Sequence, residues 1–237
     1  MSRHTQLEPG IPIRGGVPVV FPQFSDRGPL PKHGFARTLP WEVVDEGLDP
    51  SGAAVARLRL TDSEETRRIW PYPFLAELQV SLDAALTITL SVTNNGDRAF
   101  SFTSALHTYY RVGGVSRASL QGLEGSWYLG VAPGGEPREM HGALSFEGET
   151  DGVYAGVGDR LRVLDPALGR ALLIEKAGFA DAVAWNPWID KARALPDLGD
   201  DEYLEMLCVE PANIALPTHL VPGQEWSGTQ RVQVSAL

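Results

Sequence analysis

Cysteine is almost absent from this sequence, with Cys208 as the single thiol in 237 residues. One thiol cannot form an internal disulfide, so the cysteine content gives no indication of an oxidising compartment. The sequence also lacks the zinc patterns HExxH and CxxC, the phosphate-binding patterns GxxxxGKS/T and GxGxxG, and the GxSxG setting of a serine nucleophile. Nucleotide binding, metal catalysis and serine-nucleophile catalysis therefore have no support, and we expect neither a metal nor a cofactor.

Basic residues are also scarce, because 20 Lys and Arg stand against 30 Asp and Glu, for a formal net charge of -10. Nonspecific nucleic-acid binding needs a basic face, so this balance argues against it. No stretch approaches the roughly 18 to 20 apolar residues of a membrane span, and the N-terminal MSRHTQLEPG has no apolar signal core. We expect a soluble, cytoplasmic protein without nucleic-acid or membrane partners.

Hydrophobic residues make up 43% of the sequence, enough for a sizeable core. Many of them alternate with polar residues at period two, which is the pattern of a half-buried strand. A shorter apolar run, Val17 to Phe21, is also strand-like. The longer predicted strands are Ala54 to Leu60, Phe74 to Leu82, Leu86 to Thr93, Ser101 to Val112, Arg160 to Asp165, Arg170 to Lys176, Ala180 to Trp185, Leu204 to Glu210 and Gln230 to Val234.

Helical patterns are rare in the sequence. Thr61 to Trp70 predicts a helical turn that Pro71 ends, and a second short helix is predicted near Asp190 to Leu195. About a dozen short strands separated by Gly and Pro turns predict an antiparallel sandwich or barrel. No change of composition divides the chain, so we expect a single all-β domain over residues 1–237.

A cationic stretch rich in glycine and proline runs from Pro12 to Arg37, and Asp26 is its one acidic residue. Its basic side chains are Arg14, Arg27, Lys32, His33 and Arg37. The stretch either receives an anionic group of a small ligand or is a surface loop whose cations pair with nearby carboxylates. Three aromatic residues favour an ordered loop: Phe21, Phe24 and Phe35.

The first candidate for chemistry is His107, in the segment ALHTYYR. On a strand, His107, Tyr109 and Arg111 share one face. A face with a histidine, a phenol and a guanidinium is too polar for a sandwich core unless it lines a groove. Histidine titrates near neutral pH, so His107 could give or take a proton there. The alternative is a partly exposed histidine on a solvated face.

The second candidate is Glu210, in the segment LEMLCVEP. The apolar Leu204, Met206 and Cys208 share its strand face and lead up to it. A buried carboxylate must be paired or hydrogen-bonded, so Glu210 is either an ion-pair partner or a general base. We interpret Cys208 as a small core residue, since no base is adjacent.

Two further segments each leave two interpretations open. Trp185 and Trp188 flank Asn-Pro and could stack on a sugar ring or plug the end of the sandwich. Asp151 precedes Gly152, and an Asp-Gly pair is a turn signal. Asp151 could instead accept hydrogen bonds from ligand hydroxyls.

A cationic loop, a histidine and a carboxylate, without a metal pattern, suit acid/base chemistry on a phosphorylated small molecule. The chain also resembles the hexose-6-phosphate mutarotases, or glucose-6-phosphate 1-epimerases, of the aldose 1-epimerase superfamily. The segments that carry this resemblance occur in the family's order and span nearly the whole chain. They are PIRGGVPVVFPQF, KHGFAR, ALHTYYRV, VAWNPWIDKA and EYLEMLCVEPANI.

The resemblance implies a large antiparallel β-sandwich of the galactose mutarotase-like supersandwich type. It also implies cofactor-free interconversion of the α and β anomers at C1 of hexose 6-phosphates such as glucose 6-phosphate. The family's base falls on Glu210, which would take the proton of the C1 hydroxyl, and its acid falls on His107, which would protonate the ring oxygen. The opened sugar then rotates about C1–C2 and recloses as the other anomer.

The resemblance implies substrate-binding roles for five more residues. The family's phosphate-binding arginines match Arg14 and Arg37, and Lys32 takes a phosphate-side position that is often glutamine. Asp151 matches an aspartate that holds sugar hydroxyls, although Gly152 follows it where the family has arginine. His33 matches a second histidine that contacts the sugar ring.

Family members usually have several strands ahead of PIRGG, so the resemblance implies that the N-terminal strands are shortened here. A shortened sheet has an unpaired edge that a partner copy could cover, and we expect a monomer or a weak dimer. Two alternative functions stay open. One is an epimerase of unphosphorylated aldoses, and the other is a non-catalytic sugar-phosphate-binding or regulatory protein on the same sandwich.

Overall fold

The computed structural model describes residues 1–130 and 136–237, in which two antiparallel β-sheets pack face to face. The strands in these ranges are β1 (Val19–Val20), β2 (Glu42–Leu48), β3 (Ala54–Thr61), β4 (Phe74–Leu82), β5 (Leu86–Asn94), β6 (Phe100–Leu106), β7 (Tyr109–Arg111), β8 (Ser119–Gln121), β9 (Trp127–Tyr128), β10 (Arg138–Glu139), β11 (Leu144–Ser145), β12 (Thr150–Ala155), β13 (Arg160–Asp165), β14 (Arg170–Ala177), β15 (Asp181–Asn186), β16 (Met206–Leu220) and β17 (Glu225–Ala236). The predicted antiparallel sandwich is confirmed.

The first sheet has the strand order β1-β6-β16-β15-β12-β9-β10, and β7 also pairs with β16. The second sheet has the order β11-β8-β13-β14-β17-β5-β4-β3-β2. Two short helices, α1 (Glu64–Ile69) and α2 (Trp188–Ala194), connect strands. Three 3-10 turns occupy Val115–Arg117, Pro166–Leu168 and Glu202–Glu205. No helix in the described ranges is both long and apolar enough to cross a membrane.

The core lies between the two sheets. Leu207 of β16 packs in one buried cluster with Ile174 of β14, from the opposite sheet. Ile88 and Leu90 of β5 pack in a second cluster with Phe102 of β6. These apolar residues alternate with polar ones along each strand because successive side chains point to opposite faces. The period-two patterns therefore located β4, β5, β13 and β14 correctly.

The cationic loop is anchored to this core by Phe21. The Phe21 carbonyl accepts hydrogen bonds from the amides of Phe35 (3.1 Å) and Ala36 (3.2 Å). Its ring packs edge-on against Phe102, with centroids 5.2 Å apart. Gly34 has φ 69°, and a Cβ there would lie 2.1 Å from the Phe21 oxygen, so this close approach requires glycine. The loop is ordered, as its aromatic residues predict.

The helix predicted within Thr61 to Trp70 is confirmed as α1. Ser63 caps it, because its hydroxyl accepts from the Thr66 amide (3.2 Å) while the Thr66 hydroxyl accepts from the Ser63 amide (2.8 Å). This reciprocal capping box satisfies two amides that a helix start leaves unpaired. The second predicted helix, Asp190 to Leu195, is also present as α2, which begins two residues earlier at Trp188.

The prediction of one strand over Ser101 to Val112 is wrong. Strand β6 ends at Leu106, and β7 begins at Tyr109. In between, the His107 amide donates to the Pro18 carbonyl (3.0 Å), and the Tyr109 amide donates to Gly16 (2.9 Å). The cationic loop thus replaces a strand as the backbone partner here.

Two residues at the strand ends are exposed. Arg111, at the end of β7, pairs with Glu205 (3.4 Å). Leu204 is 44% exposed and lies in the 3-10 turn Glu202–Glu205 rather than on a strand. The strand that carries Glu210 starts at Met206 and runs on to Leu220.

Candidate functional site

His107 and Glu210 lie against each other on neighbouring segments of the first sheet. The His107 Nε2 atom is 3.4 Å from Glu210 Oε1. Glu210 is central in β16, opposite Val183 of β15, while His107 occupies the break between β6 and β7. The two residues are only 7% and 1% exposed. The sequence-predicted acid and base are thus brought together, out of bulk water.

The surroundings favour the uncharged form of this pair. Burial, together with the nearby Asp151 carboxylate, raises the pKa of Glu210 well above its usual value, and Arg37 opposes the shift. Burial, together with Arg37, lowers the pKa of His107 to about 3. In the described part of the chain, Glu210 Oε2 and His107 Nδ1 have no hydrogen-bond partner. Both groups therefore keep an oxygen or nitrogen for a ligand.

Two aromatic rings hold His107 in place. The Tyr109 ring stacks on the imidazole, with centroids 4.9 Å apart and an interplanar angle of 13°. Trp185 meets it edge-on at 5.9 Å. Trp185 therefore borders the His107–Glu210 pair, whereas Trp188 packs against Tyr203 at 5.4 Å and is the residue that fits the plug interpretation. The stack leaves the imidazole little rotational freedom.

His33 brings the cationic loop to this pair. Its ring is 5.8 Å from that of His107 and packs edge-on against Phe24 at 5.2 Å. The Ser25 amide donates to His33 Nδ1 (3.3 Å), so the proton of the neutral ring must sit on Nε2. Burial is the main cause that lowers the pKa of His33 to about 2, and the positive charge of Arg37 is the second. His33 is therefore a neutral donor at the site.

The remaining cations of the loop differ in how they are engaged. Arg37 Nη2 donates to the Lys32 carbonyl (3.1 Å), and its buried Nε has no partner within the described residues. Burial lowers the pKa of Arg37, partly offset by Tyr109. Lys32 itself is exposed, with its ammonium 3.5 Å from Asp26. Arg37 is thus the cation most ready to accept an anion.

Arg14 is already paired. Its Nη2 lies 2.9 Å from both carboxylate oxygens of Asp197, and its Nη1 donates to the Tyr109 hydroxyl (3.2 Å). Burial works to lower the pKa of Arg14, but Tyr109 and Asp197 outweigh it and the pKa is raised. Sequence reasoning missed Asp197, which lies 183 residues from Arg14. Arg14 reaches the site through Tyr109.

Asp151 lies inside β12 rather than in a turn, so the turn interpretation of Asp-Gly is wrong. Its carboxylate accepts from Lys191 of α2 (3.0 Å), which also pairs with Glu149 (2.9 Å). It is close enough to Glu210 to raise the pKa of that residue. Gly152 leaves room for neighbouring rings, since a Cβ there would lie 2.8 Å from the Tyr154 hydroxyl. Sequence reasoning missed Lys191.

A cavity of about 630 Å³ adjoins this site. Arg14, Tyr109 and Met206 line it, together with the N-terminal Met1 to Arg3. His107 and Glu210 do not line it. Tyr109 lines this cavity and also stacks on His107, so its ring lies between the cavity and the His107–Glu210 pair.

Comparisons with known proteins agree on one family. The family model described as aldose 1-epimerase matches residues 2–233. A protein from Cenchrus ciliaris that carries the provisional name glucose-6-phosphate 1-epimerase is 39% identical over 100% of this chain and 74% of its own length. A protein of the same provisional name from Escherichia coli is 36% identical over 90% of this chain and 71% of its own.

A solved structure has the same architecture. A protein from Salmonella typhimurium, provisionally titled a mutarotase, superposes with a TM-score of 0.91 over 100% of this chain and 79% of its own, at 27% identity. The strand order and the paired histidine and glutamate described above thus occur in a chain whose relatives carry epimerase and mutarotase names.

Proposed function

We infer that this chain, which belongs to the aldose 1-epimerase family, is an isomerase of sugar anomers. We propose that it interconverts the α and β anomers of aldohexose 6-phosphates, with glucose 6-phosphate as the substrate. The observation that carries the proposal is the contact of His107 Nε2 with Glu210 Oε1 at 3.4 Å. Anomer exchange measured by NMR tests it.

In the uncharged form of the pair, Glu210 carries a carboxyl proton that the neutral imidazole of His107 can accept. Moving that proton from Glu210 to His107 gives a carboxylate base and an imidazolium acid, each strengthened by its shifted pKa. Glu210 then takes the proton of the C1 hydroxyl while His107 protonates the ring oxygen. Both oxygens are bonded to one carbon, so an acid and a base this close can serve them together. The C1–O5 bond breaks, and the sugar opens to the aldehyde.

Reclosure on the other face gives the other anomer. Rotation about C1–C2 turns the opposite face of the carbonyl toward the C5 hydroxyl, which attacks C1 while His107 takes back the hydroxyl proton and Glu210 returns its proton to the C1 oxygen. The forward and reverse steps use the same groups, so neither residue needs a second proton source. The low exposure of the pair keeps water from replacing the sugar oxygens.

The cationic loop supplies the phosphate contacts in this proposal. Arg37 offers its Nε, which has no partner among the residues that the structure describes, and Lys32 is exposed beside it. Arg14 contributes positive charge while Asp197 holds it in place. Guanidinium and phosphate form strong charge-assisted hydrogen bonds, which favour Arg37 as the main anchor. His33, with its proton on Nε2, donates to a ring oxygen or hydroxyl.

Asp151 completes the proposed site on the sugar side. Its carboxylate, held by Lys191, is placed to accept hydrogen bonds from sugar hydroxyls. The two alternative functions are less well supported. An enzyme for unphosphorylated aldoses gives no role to the half-buried Arg37, and a non-catalytic binding protein gives none to a proton-sharing acid and base. We also propose that the protein is a monomer or a weak dimer.

A further inference from the structure

Three metal-ligand side chains meet at the reacting pair, although the sequence has no zinc pattern. One ligand atom each of His107, Cys208 and Glu210 lies within 4.8 Å of the other two. Cys208 and Glu210 stand on the same face of β16, separated by one residue, and Cys208 is opposite Tyr109 of β7. Because His107 lies two residues before Tyr109 in the chain, this pairing places His107 near Cys208 and Glu210.

These donors are not used up by other contacts. Cys208 is a free and fully buried thiol. Among the described residues, the buried Glu210 Oε2 and His107 Nδ1 have no hydrogen-bond partner. Unpartnered buried polar atoms cost free energy unless a ligand or ion uses them. The proposed proton transfers use His107 and Glu210 and leave Cys208 without a role.

We propose that His107, Cys208 and Glu210 bind a borderline-soft divalent cation of the Zn²⁺ type, as a site that blocks the enzyme and is not needed for its chemistry. Thiolate, imidazole and carboxylate together are the ligand set that zinc prefers over magnesium or calcium. Metal–ligand bonds of about 2.0 to 2.3 Å set ligand atoms about 3.5 Å apart in a tetrahedron. His107 Nε2 and Glu210 Oε1, which lie 3.4 Å apart, already have this spacing, and an ion bound by both atoms replaces their present contact.

Completing the site takes a small movement. Bringing the Cys208 sulfur from within 4.8 Å to tetrahedral spacing requires about 1 Å of side-chain adjustment. A thiolate and a carboxylate neutralise the two charges of the ion, and the thiol and carboxyl protons leave to solvent. The fourth position stays open for water.

The surrounding cations set the strength of this site. Arg37 acts electrostatically on Glu210, and Arg14 acts on Cys208, so both oppose a metal ion. The structure therefore favours reversible occupation over a resident structural metal. An ion held by Glu210 and His107 removes the base and the acid together. This inhibition rests on the proposed function, whereas the binding itself does not.

The experiment uses the full chain stripped of metal with EDTA. Zn²⁺ is titrated calorimetrically, and Co²⁺ is added as a spectroscopic probe. The expected result is one ion per chain and a thiolate-to-cobalt charge-transfer band in the near ultraviolet. Cys208→Ser removes that band and weakens Zn²⁺ binding at least about tenfold, since a lost ligand costs no less than a lost outer-shell contact. The control His141→Ala, at an exposed histidine outside the cluster, changes neither.

A second variant protects the test against misfolding at Cys208. Glu210→Gln removes the carboxylate but keeps the thiolate band, with weakened Zn²⁺ binding. Absence of the band in the unaltered protein, or equal Zn²⁺ affinity in Cys208→Ser, would overturn the proposal. Each variant's anomer exchange is compared with its own metal-free rate. The cobalt band is read without substrate, so failure of the metal site and failure of the proposed function are separate outcomes.

Discussion

Asp197 holds the guanidinium of Arg14 at two points, with Arg14 Nη2 2.9 Å from each of its carboxylate oxygens. Both side chains are less than one fifth exposed, at 18% and 14%. The pair joins the cationic loop to the polar connection between α2 and the Glu202–Glu205 turn. It also fixes the Arg14 hydrogen bond to Tyr109, and through it the ring that stacks on His107.

Removing this carboxylate destabilises the fold. Asp197→Ala leaves a largely buried guanidinium without its ion-pair partner, and we expect the free energy of unfolding to fall by about 2 kcal/mol. Urea unfolding measures it. The matched control is Asp26→Ala, which breaks the exposed pair with Lys32 and changes the free energy by less than about 0.5 kcal/mol. Equal effects of the two variants would show that Arg14 does not depend on Asp197.

The ring and the hydroxyl of Tyr109 make different contacts: the ring stacks on His107, and the hydroxyl accepts from Arg14. Tyr109→Ala removes the ring, frees the imidazole to rotate, and slows anomer exchange by about 100-fold, because small displacements of a catalytic group cost that much. Tyr109→Phe keeps the ring and loses only the contact with Arg14, so exchange falls by less than about fivefold. NMR exchange spectroscopy gives both rates. A larger loss in Tyr109→Phe would assign the effect to the hydroxyl instead.

Our proposal makes Arg37 the main contact of the substrate phosphate. Arg37→Ala removes charge-assisted hydrogen bonds to the substrate, and we expect KM for glucose 6-phosphate to rise about 10- to 100-fold with little change in kcat. The control Arg162→Ala removes an exposed arginine of β13 and leaves KM unchanged. Inorganic phosphate should compete with glucose 6-phosphate in the unaltered enzyme. An unchanged KM in Arg37→Ala, with no competition by phosphate, would favour the enzyme of unphosphorylated aldoses.

The Glu202 carboxylate contributes stability to the fold that is lost at acidic pH. Partial burial works to raise its pKa, but hydrogen bonds from the amides of Arg3 and Gly199 lower it to about 2. The depressed pKa means that this stabilisation is complete above the unfolded value near 4.5 and is lost as pH falls from there toward 2. Glu202→Gln should therefore reduce the loss of unfolding free energy between pH 5 and pH 3 by about 1 kcal/mol.

Urea unfolding at the two pH values checks this prediction. Glu205→Gln, in the same turn and with a 60% exposed side chain, controls for the loss of one negative charge. Parallel pH profiles for Glu202→Gln and the unaltered protein would contradict the assigned role of the two amides.

Local patterns predicted much of the fold. The alternation in β4 and β5 and the helical turn of α1 before Pro71 depend on residues near in sequence, so their structures follow from it. The break after Leu106 was not predictable, because it arises when the backbone of His107 bonds to Pro18 in a distant loop. Period-two alternation across the break looks like one continuous strand.

Sequence reasoning named the titratable groups that the structure brings together and missed their partners. His107 and Glu210 stand out by residue type in apolar segments. Asp197 and Lys191 lie in a polar segment where carboxylates and amines are ordinary, and only the folded chain brings them to Arg14 and Asp151. Ion pairs between distant segments have no local signature, which is why the pairing of Arg14 was not foreseen.

The central claim is that Glu210 is the base of anomer interconversion. The most direct measurement is two-dimensional NMR exchange between the α and β anomers of glucose 6-phosphate, with the uncatalysed rate subtracted. Glu210→Gln, folded by circular dichroism, should lower the catalysed rate by at least about 100-fold, since a positioned base supplies that much. Equal catalysed rates in Glu210→Gln and the unaltered protein would contradict the claim.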